Sequence, residues 1–115
     1  MASPLQVEAP SWKTEDLRIF EDGVAKFLDR EAVPNAEKYL KNHQVDRSLW
    51  NKAGAAGLLC TEMPEEYGGA GGTFAHDAII AEQLGRTGVD GWGVVLHNGI
   101  VAPYILHYGT EEQKK

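Results

Sequence analysis

An all-α fold, bundle-like and up-and-down, is what this sequence predicts, and three observations carry the prediction. Apolar residues recur at steps of three and four, helix start and stop residues bracket those runs, and no segment sustains the alternation of a strand. Leu17, Phe20, Val24, Phe27 and Leu28 fall on one helical face after Thr14, a good N-cap, with Glu15 and Asp16 beside the positive end. Asp22 with Lys26, and Glu37 with Lys41, are spaced as ion pairs on a solvated face. Pro34 interrupts the ladder, but the stripe resumes at Ala36, Tyr39 and Leu40, which predicts one long kinked helix over 14–42.

Asp46 can cap a second helix that buries Leu49, Trp50, Ala53 and Ala56 and stops at Gly57 in left-handed conformation. Residues 61–73 read as a loop punctuated by Pro64 and four glycines. Thr73 caps a third helix burying Phe74, Ala78, Ala81 and Leu84 and ending near Gly88. Asp90 opens a fourth, reaching about Ala102, with Pro103 starting a short turn closed by Gly109.

The 115 residues suffice for one domain, with 1–10 a loose arm and 11–115 the helical domain. The net charge of −6 and the absence of a basic patch exclude nucleic acid as a partner. No apolar run is long enough for a membrane span, residues 1–10 lack the features of a leader, and a lone Cys60 excludes an internal disulfide, so a cytoplasmic location is expected.

Two features ask for more than a small bundle. From Gly91 to Gly109 there is no Asp, Glu, Lys or Arg, while Trp92, Val94, Val95, Leu96, Ile100, Val101, Ile105 and Leu106 crowd the helix circumference. A helix apolar all round is buried all round. It is either the centre of this bundle, or its surplus face meets another domain, a subunit or a ligand. Thr110-Glu111-Glu112-Gln113 then writes a capping box with only Lys114 and Lys115 after it, so the chain is expected to be a piece of a longer protein.

Three stretches in order carry a family resemblance: Ala53-Gly54-Ala55-Ala56-Gly57-Leu58 with Met63-Pro64-Glu65-Glu66-Tyr67-Gly68-Gly69-Ala70-Gly71, then Ile80-Ala81-Glu82-Gln83-Leu84-Gly85-Arg86, and Tyr108-Gly109-Thr110-Glu111-Glu112-Gln113-Lys114. Together they resemble the N-terminal helical domain of the acyl-CoA dehydrogenases, over about residues 14–115. The resemblance implies an oxidoreductase of fatty acid metabolism that places a double bond between the α and β carbons of an acyl-CoA thioester. It implies a β-domain and a C-terminal helical domain outside this chain, which hold most of the FAD together with a neighbouring subunit, and hence a homo-oligomer. It implies an electron-transferring flavoprotein as acceptor. The catalytic glutamate of such enzymes lies in the C-terminal domain, so this chain supplies no catalytic residue, is inactive alone, and receives no cofactor-binding assignment.

The candidate site is the stripe Trp92, Val95, Leu96 and Gly99, at i, i+3, i+4 and i+7, which would serve as a wall of the acyl cavity. Alternatively that stripe is core and the opposite face lines the cavity. His97 and Asn98 either touch substrate or an interdomain carbonyl, or are structural; with His43, His76 and His107 they show no metal-ligand spacing. Gly68-Gly69-Ala70-Gly71-Gly72 fails the dinucleotide pattern because Phe74 stands where glycine is needed, so it serves tight turning. Cys60 reads as a small apolar residue. The rival to the enzyme reading is a free-standing helical module that binds a protein partner through the charge-free helix.

Overall fold

The computed structural model describes residues 8–115, and every regular element among them is helical. Most of the expected arm, residues 1–7, lies outside the described residues; Glu8, Ala9 and Pro10 are exposed and non-helical. Helix α1 (Glu15–Glu31) starts at Thr14, whose side chain accepts from the Leu17 N–H, and carries the expected Asp22–Lys26 pair at 2.7 Å. The single kinked helix expected over 14–42 is instead two helices. Pro34 has no N–H to donate, so a 3-10 turn (Val33–Asn35) intervenes before α2 (Ala36–Asn42). Asn35 covers part of the break by donating its side-chain amide to the Glu31 carbonyl at 3.1 Å. On α2, Tyr39 is buried but Leu40 is exposed.

Helix α3 (Arg47–Ala55) buries Leu49 and Ala53, with Trp50 partly covered and Ala56, expected inside, exposed. Asp46 stands at its cap position but spends its carboxylate on Lys38 at 2.6 Å. Gly57 takes the left-handed conformation at φ +77°. Helix α4 (Phe74–Thr87) packs along α1, and Lys13 ties the two by reaching both Glu21 and Glu82, at 2.5 and 3.4 Å. The face expected on α4 is turned: Phe74 is 70% exposed and Ala78 and Ala81 are half-buried, while Asp77, Ile79, Ile80 and Leu84 face inward. Helix α4 ends at Gly88, also left-handed, as expected.

The fourth expected helix begins at Val94, four residues later than Asp90, which caps the Gly91 amide in a turn. Gly91 is needed there, at φ +83° with the Gln44 backbone 3.1 Å from where a Cβ would stand. Nor does the helix stop at Ala102. Helix α5 (Val94–Leu96), a π-helical turn (His97–Val101) and α6 (Ala102–Tyr108) run on as one rod, with the Ala102 N–H donating to His97 C=O five residues back. The widened turn accommodates Pro103, whose missing N–H and bulky ring disfavour regular i→i−4 bonding. After Gly109, Thr110 and Gln113 close the expected capping box at 2.9 and 3.2 Å, opening α7 (Glu111–Lys114).

The core joins Val24, Phe27 and Leu28 of α1, Tyr39, Leu49 and Ala53, and Ile79, Ile80 and Leu84 of α4 with Val89, Trp92 and Val94. The molecule is 20 Å across its thinnest axis, about two helix diameters. In so thin a body the rod 94–108 is covered on one side only, along Val94, Asn98 and Ala102. It is held there by Asn98, 2% exposed, whose Oδ1 accepts from the Cys60 N–H at 3.0 Å and whose Nδ2 donates to the Leu58 carbonyl at 2.8 Å.

Ile79→Ala, at the centre of the core, is expected to lower stability by about 2–5 kcal/mol, and Leu40→Ala by under about 0.5 kcal/mol, in urea denaturation. Asn98→Ala strips partners from two backbone groups at roughly 1–3 kcal/mol each and should cost about 2–4 kcal/mol. Hydrogen exchange should then quicken at the Cys60 amide.

Candidate functional site

A groove of about 140 Å³ opens where α4 meets the rod. Phe74, Ala78 and Ala81 come from α4, Val95 and Gly99 from the rod, and Ile80, Asp77 and Asn98 complete the lining, which is almost entirely carbon. The opening exists because the side chains along it are small: two alanines face a glycine. Phe74, exposed at one edge, and Val95, 47% exposed, leave it ready to receive an alkyl group.

The four residues expected to form one wall are divided by the fold. Val95 and Gly99 line the groove. Leu96, 55% exposed, belongs to the uncovered apolar surface of the rod with Ile100, Val101, Tyr104 and Ile105. Trp92 precedes the helix and is 7% exposed in the core, its ring edge-on to Trp50 at 5.8 Å, with Trp50 in turn edge-on to His97 at 5.4 Å. Helical periodicity counted Trp92 with the other three because it cannot locate a helix start that is set by the Gly91 turn.

His97 and Asn98 take the structural role. The Nδ1 of His97 lies 2.9 Å from Asn98 Oδ1 and donates to it, which orients the amide for its grip on the loop. Cys60 is half-buried at φ +52°, and burial together with the negative Asp77 pushes its thiol up, away from nucleophilic reactivity.

Sequence reasoning passed over two features. Asp77 lies buried beneath the groove and takes the Thr61 hydroxyl as a donor. Its sequence signal was a charge at i+3 from Phe74 and i−4 from Ala81, on the very face assigned to the core. Tyr67 of the glycine loop donates its hydroxyl to Glu111 of α7 at 2.6 Å, with the Lys114 ammonium 5.7 Å from its ring. This bond pushes the Tyr67 phenol up to about 12 and holds the Glu111 carboxyl low.

The loop itself is closed to phosphate. The Gly69, Ala70, Gly71 and Gly72 amides donate to the carbonyls of Pro64, Cys60, Met63 and Thr61 at 3.1, 3.2, 2.9 and 2.6 Å. A side chain at Gly69 would collide with the Met63 carbonyl, so glycine is there for close approach. With its amides spent and Glu65 and Glu66 alongside, this stretch does not fit the pyrophosphate of a dinucleotide such as FAD. Among the described residues no group of His, Cys, Asp and Glu has the arrangement of a metal site, and no helix is long and apolar enough to cross a membrane.

Residues 14–115 match the family model described as acyl-CoA dehydrogenase, N-terminal domain. The chain is 42% identical over 97 residues to the mitochondrial long-chain specific acyl-CoA dehydrogenase of Sus scrofa, covering 84% of this chain and 23% of that protein. It is 33% identical over 112 residues to a probable acyl-CoA dehydrogenase of Bacillus subtilis, covering 96% and 19%. The crystal structure of an acyl-CoA dehydrogenase from Geobacillus kaustophilus superposes with a TM-score of 0.87 at 40% identity, over 92% of this chain and 28% of that one. The chain thus spans less than a third of the length of these proteins. Fold, sequence and the order of the motifs agree: the chain belongs to the acyl-CoA dehydrogenase family and corresponds to its N-terminal helical domain.

Proposed function

We propose that this chain, as residues 11–115 of a FAD-dependent acyl-CoA dehydrogenase, forms one wall of the cavity that takes the acyl chain of the thioester. The observation that carries the reading is the carbon-lined groove of Val95, Gly99, Ala78, Ala81 and Phe74 beside a rod with a single covered stripe. Leu96 extends the apolar surface and Trp92 braces the wall from the core, through Trp50 and His97. An alkyl chain in the groove loses contact with water at about 25 cal/mol per Å².

FAD, when bound, would supply the oxidising group for α,β-dehydrogenation and would be held mainly by the β-domain, the C-terminal domain and a second subunit. The glutamate that abstracts the α-proton lies in the C-terminal domain of this proposal, and this chain is inactive alone. The remaining apolar surface, with Ile100, Val101, Tyr104 and Ile105, supports docking of those domains. A homo-oligomer, transfer of electrons to an electron-transferring flavoprotein and a cytoplasmic location complete the proposal. The mitochondrial label belongs to the pig relative, and the B. subtilis one carries no such label.

The test is expression of the complete reading frame beside the 115-residue chain. The complete product should purify with flavin absorbance and oxidise acyl-CoA, and the chain alone should do neither. Gly99→Leu in the complete product should lower kcat/KM for long acyl chains by about tenfold or more, as filling a hydrophobic pocket does. A colourless, inactive complete product would favour a protein-interaction module, and flavin retained by the chain alone would overturn the division of labour.

A further inference from the structure

The main chain settles which atom of the buried Asn98 amide is which. The Cys60 N–H can only donate, so the atom 3.0 Å from it is the carbonyl oxygen Oδ1. The Leu58 C=O can only accept, so the atom 2.8 Å from it is Nδ2. A carbonyl oxygen has a second lone pair, and His97 Nδ1 stands 2.9 Å from this one. Since Oδ1 has no proton to give, Nδ1 must carry it. In a neutral imidazole the other ring nitrogen, Nε2, is then bare. His76 is the reverse case in the same chain. The Thr73 N–H donates to its Nδ1 at 2.9 Å, which leaves the proton of a neutral ring on Nε2.

We infer that His97 is fixed as the Nδ1–H tautomer and is the positioning residue of the rod. The two main-chain bonds tie the Asn98 amide to the loop, and the His97 bond ties the same amide to the rod's own surface, so the rod cannot turn beneath its own side chain. The imidazole is braced in its turn. Its centroid lies 5.4 Å from the Trp50 ring of α3, and Trp50 stands edge-on to the core residue Trp92 at 5.8 Å. Rotation fixed in this way brings Val95 and Gly99 to the groove, opposite Ala78 and Ala81. What this does for substrate rests on the acyl-wall reading; the tautomer and the grip do not.

The first test is the proton–nitrogen correlation spectrum of the imidazole rings in the isotope-labelled 115-residue chain at about pH 8, where an ordinary imidazole is neutral. His97 should show its proton on Nδ1 and a bare Nε2, with His76 the opposite. A proton on Nε2 of His97 would overturn the inference. The second compares His97→Phe, which keeps a ring beside Trp50 without the donor, with His97→Asn, whose amide nitrogen is as many bonds from the backbone as Nδ1. Exchange of the Cys60 amide should quicken about fivefold in His97→Phe and return to within about twofold in His97→Asn, as loss and recovery of one hydrogen bond require. Unchanged exchange in His97→Phe, or no recovery in His97→Asn, would also overturn it. In the complete product, His97→Phe should raise KM for long acyl chains about fivefold, and Asn98→Ala more, the loss falling on KM rather than kcat. A rise in Asn98→Ala alone overturns the positioning role of His97, whereas a rise in neither overturns the acyl wall and, with it, the effect of His97 on substrate.

Discussion

The Asn98 carboxamide spans the gap between the rod 94–108 and the loop after α3, accepting from Cys60 and donating to Leu58. Everything that makes the groove depends on this grip. A rod with one buried stripe has few apolar contacts to fix its rotation, and Asn98 sits in the middle of that stripe, between Val94 and Ala102. Both of its partners are main-chain groups of a loop that has no helix ladder of its own to satisfy them, so the bond is exchanged for nothing better elsewhere. With the rod's rotation fixed, Gly99 and Val95 face Ala78 and Ala81, and the groove has its shape.

The π-helical turn belongs to the same constraint. Asn98 and Gly99 lie inside it, and the extra residue in the turn is what Pro103 requires further on. Such turns recur at functional sites because they re-aim side chains without ending a helix. Here the local cost, weakened i→i−4 bonding, is met by the clasp on the loop. The loop in turn is packed by its own carbonyls, which consume the glycine amides, and is joined to α7 through Tyr67 and Glu111. A segment that looks flexible in composition therefore has its Gly69–Gly72 amides all hydrogen-bonded.

The thinness of the molecule explains which hydrophobic residues stay outside. Leu96, Ile100, Val101, Tyr104 and Ile105 are exposed along one element, whereas Val24, Leu28, Leu49 and Ile79 are close to fully buried in the two-layer core. A body two helices deep covers one side of each helix, and the rod has apolar residues on all sides. Its uncovered surface is a consequence of composition meeting thickness.

Helix identity, the Thr14 cap, the left-handed Gly57, the stop near Gly88 and the Thr110–Gln113 box were legible in the sequence because each depends on neighbours within one turn. So was the surplus of apolar surface around the rod, since absence of charge needs no coordinates. The inward face of α4 was not. Phe74 is as apolar as Ile79 and Ile80, yet the helix is turned roughly a quarter-turn so that Ile79 and Ile80 enter the core built by α1 and α3, while Asp77 stays inward with the Thr61 hydroxyl as donor from sixteen residues away. Trp92 was read into the groove stripe for the same reason: the Gly91 turn and the distant Trp50 ring decide where the helix begins. Local chemistry fixes where helices start and stop. Which way they face is decided by partners far along the chain, and only the tertiary structure brings those partners into contact.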